Sequence, residues 1–501
     1  MTTNRYYLTT TLPYVNARPH IGFALEIIQA DAVVRYQKML GADVVFNTGT
    51  DEHGKKIYEK ALEEGKDPQA YTDEYATKFD LLKNLLNVQY TNFIRTTDKH
   101  HVAAAQEMWK RCEANGDIYK KNYQVKYCVG CELEKTESEL EHGKCPIHPK
   151  REVELIDEEN YFFRFSKYKE RLLALYDSQP DFVVPKNRLQ EIRNFIADGP
   201  QDFSVSRLKE KLPWGVPVPG DDEHVMYVWF DALTNYISTL GWPKDEDRFK
   251  TWWGTDKKPN CVQVAGKDNL RQQSAMWQAM LMSAGLPRSK QIFIHAFITS
   301  EGKKMSKSEG NVVDPVEVVE KYGTDAVRYY LLGALPSYDD GDWSESRFEE
   351  YYTAHLANGI GNLTSRVLTM VDKFGDGKIP PACGYHGMKE FWGPIDTLTN
   401  NFQFDALVTH LQDFAGRLDK YINDEKPWEK VKAGESVDEI VYTLSESLRH
   451  LALAHLPIIP EAAEKILTSL GASDITTREW GGLKGGESVQ KGDALFPRLD
   501  G

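Results

Sequence analysis

The chain has 501 residues, which at about 100–200 residues per domain predicts roughly two to four domains. Its formal net charge of −14 excludes non-specific coating of DNA by bulk positive charge. It lacks both a long apolar run that could span a membrane and the apolar start of a secretory signal, so we expect a cytoplasmic protein with no membrane or DNA partner. Six cysteines are too few for a disulfide scaffold in a chain of this length.

Residues 1–115 predict the first half of a parallel α/β sheet. Positions 6–12 are rich in β-branched and aromatic residues, which is typical of a buried strand. Apolar residues spaced by three and four over 21–39, followed by Gly41, predict an amphipathic helix, and a second strand is expected at 43–47. The succession of strand, helix and strand favours a parallel sheet.

The pattern changes at about position 116, where we predict an insertion that extends to 224. Residues 123–160 are polar and rich in cysteine, and helical stretches are expected near 167–175 and 189–195. The segment LPWGVPVPG at 212–220 is typical of a boundary loop. Strands expected at 225–230, 261–265 and 292–298 then complete a Rossmann-type sheet over 225–322, with a helix at 270–284.

After residue 339 the pattern is almost entirely helical. Amphipathic helices are expected at 347–371, 404–423, 437–455 and 460–470. We therefore predict a connector at 323–348 and an all-α helical bundle at 349–501. The predicted fold class is a split α/β domain with an insertion, followed by this bundle.

Two motifs each follow a predicted sheet strand. His20 and Gly22 begin the first helix, where backbone N–H groups face the carboxyl edge of the sheet and can bind phosphate. A capping histidine beside a packing glycine is the plainer interpretation of this motif alone. The segment KKMSKS at 303–308 suits a lid over a polyphosphate, because lysine neutralises phosphate charge in the transition state. Taken alone, this segment would be interpreted as a solvated basic loop, but the two motifs together favour nucleotide binding.

Four potential metal ligands lie close together in the insertion. Cys128 and Cys131 are separated by two residues, and so are Cys145 and His148. Two pairs with this spacing are typical of a zinc knuckle, in which four protein ligands fill the coordination positions of the metal. We predict one structural Zn²⁺ here, with free thiols in a loop as the alternative.

These motifs together resemble a known family. His20-Ile21-Gly22 and the segment KMSKS at 304–308 resemble the paired signature of class I aminoacyl-tRNA synthetases. YVNA at 14–17 and TGTDEHG at 48–54 are similar to the methionyl-tRNA synthetases in particular, and the likeness extends from position 6 to 499. It implies a ligase that forms methionyl-adenylate and pyrophosphate from methionine and ATP with Mg²⁺, then transfers methionine to the 3′ end of tRNA(Met).

The resemblance also implies roles for individual residues. Lys307, assisted by Lys304 and His20, is expected to be catalytic. The expected ATP-binding residues are His20, Gly22, Lys304, Ser306, Lys307 and Ser308. The expected methionine-binding residues are Leu12, Tyr14, Asp51, Trp229 and Tyr236. Asp51 can pair with an α-ammonium, and aromatic walls suit a polarisable thioether. The chain departs from the family pattern at Phe23, Leu233, Asn269 and Gln273.

The bundle carries candidate RNA contacts. Asn362 and Arg366 are four residues apart on a predicted helix and so share a face, and Trp428 begins a later helix. Sequence alone favours ordinary surface residues and a packed tryptophan, whereas the resemblance implies anticodon binding by stacking and hydrogen bonding. We expect a monomer. Two alternatives stay open: a class I synthetase for another apolar amino acid, and a non-catalytic relative that binds tRNA as a regulator.

Overall fold

The computed structural model describes residues 4–131, 133–135, 137–305, 311–384, 388–472 and 476–499. The strands of this part of the chain are β1 (Arg5–Thr10), β2 (Asp43–Thr50), β3 (Asn92–Arg95), β4 (Ile118–Cys128), β5 (Leu133–Lys135), β6 (Glu154–Phe163), β7 (Val183–Val184), β8 (Phe203–Ser204), β9 (Ser206–Leu208), β10 (Pro217–Val218), β11 (Asp221–Met226), β12 (Gly254–Thr255), β13 (Lys258–Pro259), β14 (Cys261–Gly266), β15 (Gln291–His295), β16 (Ile298–Ser300), β17 (Lys303–Lys304) and β18 (Gly341–Trp343).

The helices are α1 (Ile21–Met39), α2 (Lys55–Glu63), α3 (Pro68–Asp80), α4 (Leu82–Leu85), α5 (Lys99–Ala114), α6 (Lys169–Ser178), α7 (Lys186–Ala197), α8 (Val228–Ala232), α9 (Asn235–Ser238), α10 (Glu246–Trp253), α11 (Trp277–Ser283), α12 (Pro315–Tyr322), α13 (Thr324–Gly333), α14 (Glu345–Tyr351), α15 (Asn362–Phe374), α16 (Lys389–Asn400), α17 (Phe404–Glu425), α18 (Pro427–Lys432), α19 (Asp438–His455) and α20 (Pro460–Ser469). Among the helices of the described residues, none combines the length and apolar character needed to cross a membrane.

The central sheet has six parallel strands in the order β3-β2-β1-β14-β15-β7. This confirms the predicted Rossmann-type sheet. Side chains alternate between its two faces, so Tyr7 enters one apolar core and Leu8 the other. The strand order reverses between β1 and β14, and in open parallel sheets ligands bind at the carboxyl edge beside such a reversal.

Two details of the sheet differ from the sequence-based expectations. β7 pairs with β15, with Val184 opposite Phe293, although it lies within the predicted insertion. The predicted strand at 225–230 is wrong at its end, because β11 stops at Met226 and Val228–Ala232 forms α8. A short apolar run has no periodicity that separates a strand from a buried helical turn. The domain boundaries at 115, 224, 322 and 348 stay predictions.

The C-terminal region is helical, as predicted. The single helix expected over 347–371 is interrupted, because a π-helical segment at Tyr352–Gly361 joins α14 to α15 and contains a kink at Gly359. This region shares one apolar core with a face of the sheet. The buried guanidinium of Arg328 on α13 also joins the two parts, since it donates to the carbonyls of Leu86, Pro457 and Ile458.

Candidate functional site

The first motif lies at the start of α1. The Nδ1 atom of His20 accepts a hydrogen bond of 3.1 Å from the backbone N–H of Gly22, so His20 caps the helix in this structure. A Cβ atom on Gly22 would lie 2.9 Å from the His20 ring, and glycine is therefore needed for this cap. The backbone N–H of Ile21 donates to the carbonyl of Val313 at 3.0 Å. The start of α1 thus contacts the chain that follows the lysine-rich motif.

The second motif begins on a small hairpin. Lys304 on β17 pairs with Thr299 on β16. The Oδ1 atom of Asp342 accepts hydrogen bonds of 2.7 Å from the Thr299 hydroxyl and from the backbone N–H of Gly302, and these bonds lower the pKa of its carboxyl group. Asp342 therefore holds the hairpin that carries the motif. Ser306, Lys307 and Ser308 lie outside the described residues.

Three of the five predicted methionine-binding residues follow strands of the sheet, and the other two lie on α8 and α9. Leu12 and Tyr14 follow β1, and Tyr14 forms a parallel bridge with Asp51, which follows β2. Trp229 lies on α8 and Tyr236 on α9. The hydroxyl of Tyr7 on β1 donates to the carbonyl of Tyr236 at 2.7 Å, which fixes α9 against the sheet.

A buried cluster, which the sequence analysis missed, lies behind these residues. The Oδ2 atom of Asp231 is 3.1 Å from Nδ1 of His53, and its Oδ1 atom is 3.6 Å from Nε2 of His101. Burial alone would raise the pKa of Asp231, but the two histidines lower it overall. The cluster ties α8, which carries Trp229, to the segment that carries Asp51. In the sequence, His53 lies two positions after Asp51, and Asp231 lies two positions after Trp229. These polar residues beside predicted site residues were the signal that could have revealed the cluster.

A second polar pair lies beside the strand reversal. Glu26 on α1 accepts hydrogen bonds from the Thr11 backbone N–H at 2.8 Å and from Nε2 of His295 at 2.9 Å, and Nδ1 of His295 donates to a carbonyl at 2.8 Å. Burial alone would lower the pKa of His295, but the bond to Glu26 raises it overall. Both ring nitrogens of His295 therefore lie within hydrogen-bonding distance of an oxygen atom. His295 ends β15, and a polar residue at the end of a sheet strand was the signal for it.

The four departures from the family pattern have different surroundings. Phe23 packs edge-on against Phe79 with ring centroids 5.3 Å apart. Leu233 is buried in an apolar cluster, and Asn269 donates to the side chain of Asp268 at 3.3 Å. Gln273 is buried and donates to the Tyr236 hydroxyl. Gln273 thus contacts a predicted methionine-binding residue through its side chain, whereas Leu233 does so through its backbone N–H, which donates to the Trp229 carbonyl at 3.1 Å.

A cleft of about 150 Å³ lies between the antiparallel strands β4 and β6 and the carboxyl edge of the sheet. Its lining includes Gly54 and Val228, which are close in sequence to Asp51 and Trp229. None of the five predicted methionine-binding residues, all within the described part of the chain, lines it. Trp214, in the loop interpreted as a boundary, donates to the carbonyl of Glu52 at 2.6 Å and so also belongs to this region.

The four predicted metal ligands form one cluster. The Sγ atoms of Cys128, Cys131 and Cys145 and Nδ1 of His148 all lie within 4.8 Å of one another. Cys131 Sγ is 3.2 Å from His148 Nδ1 and 3.5 Å from Cys145 Sγ. A Cβ atom at Gly130 would lie 2.4 Å from the His148 ring, so this close approach requires glycine. The arrangement suits a metal that prefers sulfur and nitrogen in tetrahedral geometry.

The candidate RNA contacts lie on α15 and at the α17–α18 junction. Asn362 is exposed at the start of α15. Arg366 donates to Asp419 and, at 2.8 Å, to Asn423, which lies in the last turn of α17. Trp428 follows at the start of α18 and is 40 % exposed. The structure therefore places Arg366 beside the helix end that leads to Trp428.

Comparison with known proteins gives consistent matches over the whole chain. The family model described as tRNA synthetases class I (M) matches residues 6–154 and 134–368. A methionine–tRNA ligase of Thermosynechococcus vestitus is 43 % identical over 99 % of this chain and 97 % of that protein. The corresponding ligase of Thermotoga maritima is 40 % identical over 99 % of this chain and 80 % of its own length.

Solved structures agree with these relatives. The Mycobacterium tuberculosis methionyl-tRNA synthetase in complex with methionyl-adenylate superposes with a TM-score of 0.92 at 35 % identity, covering 99 % of this chain and 100 % of that one. Its apo form gives a TM-score of 0.85 at 32 % identity, covering 100 % of this chain and 99 % of that one.

Proposed function

This chain belongs to the class I tRNA synthetases of the methionyl type, and we propose that it activates methionine with ATP and transfers it to tRNA(Met). The observation that carries the proposal is the hydrogen bond from Ile21 N–H to the Val313 carbonyl. It brings the start of α1 against the segment after the lysine-rich motif, beside the reversal of strand order. The first phosphate-binding motif thereby lies against the segment that follows the second one, where a parallel sheet binds ligands.

In the proposed first step, the methionine carboxylate attacks the α-phosphorus of ATP and pyrophosphate leaves. Lys307 and Lys304 neutralise the charge that develops on the phosphates, with Ser306 and Ser308 as hydrogen-bond partners. His20 and Gly22 hold the nucleotide at the start of α1. Mg²⁺ enters with ATP as part of the substrate. The protein mainly positions the reactants.

The proposed amino-acid site uses the residues at the ends of β1 and β2 together with α8 and α9. Asp51 pairs with the α-ammonium, and Leu12, Tyr14, Trp229 and Tyr236 surround the side chain. In the second step the 3′-terminal hydroxyl of the tRNA attacks the carbonyl carbon of the adenylate, and AMP leaves.

The proposed metal is one structural Zn²⁺ bound by Cys128, Cys131, Cys145 and His148. The donor set supports it, because three sulfur atoms and one imidazole nitrogen converge. When bound, zinc stabilises the fold of its loop. Lys56 on α2 donates to the carbonyl of Gly130 at 2.6 Å, so an ordered knuckle is held against the sheet domain.

The proposed anticodon contacts are Asn362, Arg366 and Trp428. An amide and a guanidinium can form hydrogen bonds with base edges, and an exposed indole can stack on an unpaired base. The expectations of a monomer and of a cytoplasmic location stay predictions.

The first test is ATP–pyrophosphate exchange with each of the twenty amino acids, with Mg²⁺ and without tRNA. Exchange that depends on methionine supports the proposal. Exchange with another amino acid would instead support a different class I specificity. Absence of exchange from a folded, zinc-loaded sample would favour a tRNA-binding relative without catalysis.

A matched pair of variants tests the lysine assignment. Lys307→Ala should slow adenylate formation by about 10²-fold or more, the usual effect of removing a group that stabilises transition-state charge, with methionine binding nearly unchanged. Lys303→Ala removes an exposed lysine of β17, four positions earlier in the chain, and serves as the control. A normal exchange rate in Lys307→Ala would refute the assignment.

A further inference from the structure

A cavity of about 170 Å³ lies in the helical region, where four helical elements meet. It is lined by the π-helical segment Tyr352–Gly361, by α17, by Tyr329 of α13 and by His455 of α19. Ala354 and Gly416 are the exposed residues of this lining and therefore mark its mouth. The cavity is smaller than the roughly 300–1,000 Å³ of pockets for drug-sized ligands, so it suits a ligand of a few heavy atoms.

His455 offers this cavity an unpaired hydrogen-bond acceptor. Its side chain is 2 % exposed, and its Nδ1 atom lies 2.8 Å from the carbonyl oxygen of Leu451. Because a carbonyl oxygen can only accept, Nδ1 carries the proton and Nε2 carries a lone pair. Burial lowers the pKa of His455 to about 4, which keeps the ring neutral at pH 7. Within the part of the chain that the structure describes, no group donates to Nε2, so this nitrogen is left for a ligand in the cavity that His455 lines.

Asp419 adds a negative charge to the same lining. Its Oδ1 atom accepts from Arg366 on α15, whereas no group among the described residues donates to its Oδ2 atom. Of the described residues that line the cavity, none is a lysine or an arginine. The lining therefore favours a cation and disfavours an anion.

The rest of the lining favours an organic cation over a metal ion. Ile360, Leu411 and Ala415 are buried apolar residues and suit a carbon chain. The rings of Tyr329 and His455 are nearly parallel, with centroids 6.2 Å apart, and aromatic faces attract cations. Among the described residues, three or more convergent Cys, His, Asp or Glu ligands occur only at the cysteine cluster of the insertion, so a metal ion has too few ligands here.

We propose that this cavity binds a small primary alkylammonium ion, which donates N–H groups to Nε2 of His455 and to the carboxylate of Asp419 and places its carbon chain against Leu411. An ammonium group supplies three donors and one positive charge, which matches a neutral nitrogen acceptor and a carboxylate in one lining. The proposal concerns the helical region alone and does not depend on the proposed function.

The test is a saturation-transfer NMR titration of the full chain with n-butylammonium, at an ionic strength of about 0.15 M to screen non-specific attraction. We expect saturable binding with a dissociation constant of about 1 mM, as befits so small a ligand. N,N,N-trimethylbutylammonium carries the same charge without an N–H group and should bind at least about tenfold more weakly. Equal binding of the two ions, or no saturation by n-butylammonium, would overturn the proposal.

Substitutions of the two acceptors locate the site. Asp419→Asn keeps the shape of the side chain but removes its charge, and should weaken binding by about tenfold. His455→Phe keeps a flat ring without Nε2 and should weaken binding by about threefold. Asp413→Asn is the matched control, because Asp413 is an exposed residue of α17 that does not line the cavity. Equal effects of Asp419→Asn and Asp413→Asn would mean that bulk charge attracts the probe, and the proposal would be wrong.

Gly416→Leu tests the cavity with both acceptors left in place. A Cβ atom at Gly416 meets no atom within 4 Å, and glycine inside a helix is less favourable than leucine, so the variant should fold normally while its side chain narrows the mouth. Binding of n-butylammonium should be lost. Gly393→Leu is the matched control, because Gly393 is a helical glycine of α16 with the same open surroundings outside the cavity. Full binding in Gly416→Leu would also overturn the proposal.

A third probe identifies the source of the alkylammonium group. Nα-acetyl-lysine methylamide carries the same chain on a peptide backbone. Binding tighter than that of n-butylammonium would support the site and assign it to a lysine side chain of a peptide, whereas weaker binding would support the site and assign it to a free amine. The titrations contain no methionine, ATP or tRNA, so their failure is distinguishable from a failure of the proposed function.

Discussion

Replacing Arg328 by methionine should destabilise the junction between the sheet and the helical region. Arg328 is completely buried. Its guanidinium donates to the carbonyls of Leu86, Pro457 and Ile458 at 2.9–3.0 Å and pairs with Asp31 at 2.8 Å. Methionine retains most of the aliphatic volume but cannot donate, so three buried carbonyl groups lose their partner.

The expected magnitude follows from these contacts. Each unsatisfied carbonyl costs about 1 kcal/mol, which gives roughly 3 kcal/mol for the three together. The Asp31 carboxylate contributes little more, because Arg35 at 2.7 Å and the Gln89 backbone N–H at 2.7 Å still bind it. The loss is therefore near the lower end of the roughly 3–5 kcal/mol observed when one partner of a buried ion pair is removed.

Urea unfolding of the wild type and two variants measures this loss. Arg35→Met is the matched control: it removes a neighbouring arginine on α1 that binds the same Asp31 and donates to Asn87. We expect the free energy of unfolding to fall by about 3 kcal/mol in Arg328→Met, and by about 1 kcal/mol in Arg35→Met. Amide hydrogen exchange near Pro457 should accelerate only in Arg328→Met. A smaller loss in Arg328→Met than in Arg35→Met would refute the reasoning.

Three further predictions concern other parts of the chain. Cys145→Ser should reduce bound zinc and lower the melting temperature, and unchanged zinc content would contradict the ligand assignment. Burial raises the pKa of Asp325 to about 6, so this carboxyl group holds its proton more tightly in the folded chain than in the unfolded chain. The contribution of that proton to the free energy of unfolding is therefore largest below about pH 4 and is lost as pH rises through 6. Asp325→Asn should therefore raise the melting temperature at pH 8 more than at pH 4, and equal shifts at both values would refute this. Arg366→Ala and Trp428→Ala should each reduce aminoacylation of tRNA at least fivefold with exchange unchanged, as expected for one lost base contact; normal aminoacylation would remove them from the RNA surface.

Local patterns in the sequence determined much of the architecture. The bounds of α1 and the presence of β1, β2 and β14 follow from the spacing of apolar residues, because burial against a neighbour imposes a period of about two or four residues. The metal ligands were found by the same kind of short-range rule, since two residues between ligands allow a tight turn to bring both to one ion. Family likeness then supplied roles for residues that spacing alone leaves as ordinary core or surface.

The tertiary structure decided what depends on contacts between distant residues. The short strand β7, the helical turn at Trp229, and the contact between Ile21 and Val313 have no local pattern, because their partners lie tens to hundreds of positions away. The same is true of the hydrogen bonds at Tyr236. A glutamine in the sequence can donate or accept, and its partners at Gln273, the Gln263 side chain and the Tyr236 hydroxyl, are chosen by the fold. Polar specificity in a buried site is a property of the whole hydrogen-bond network, and the network exists only once the chain has folded.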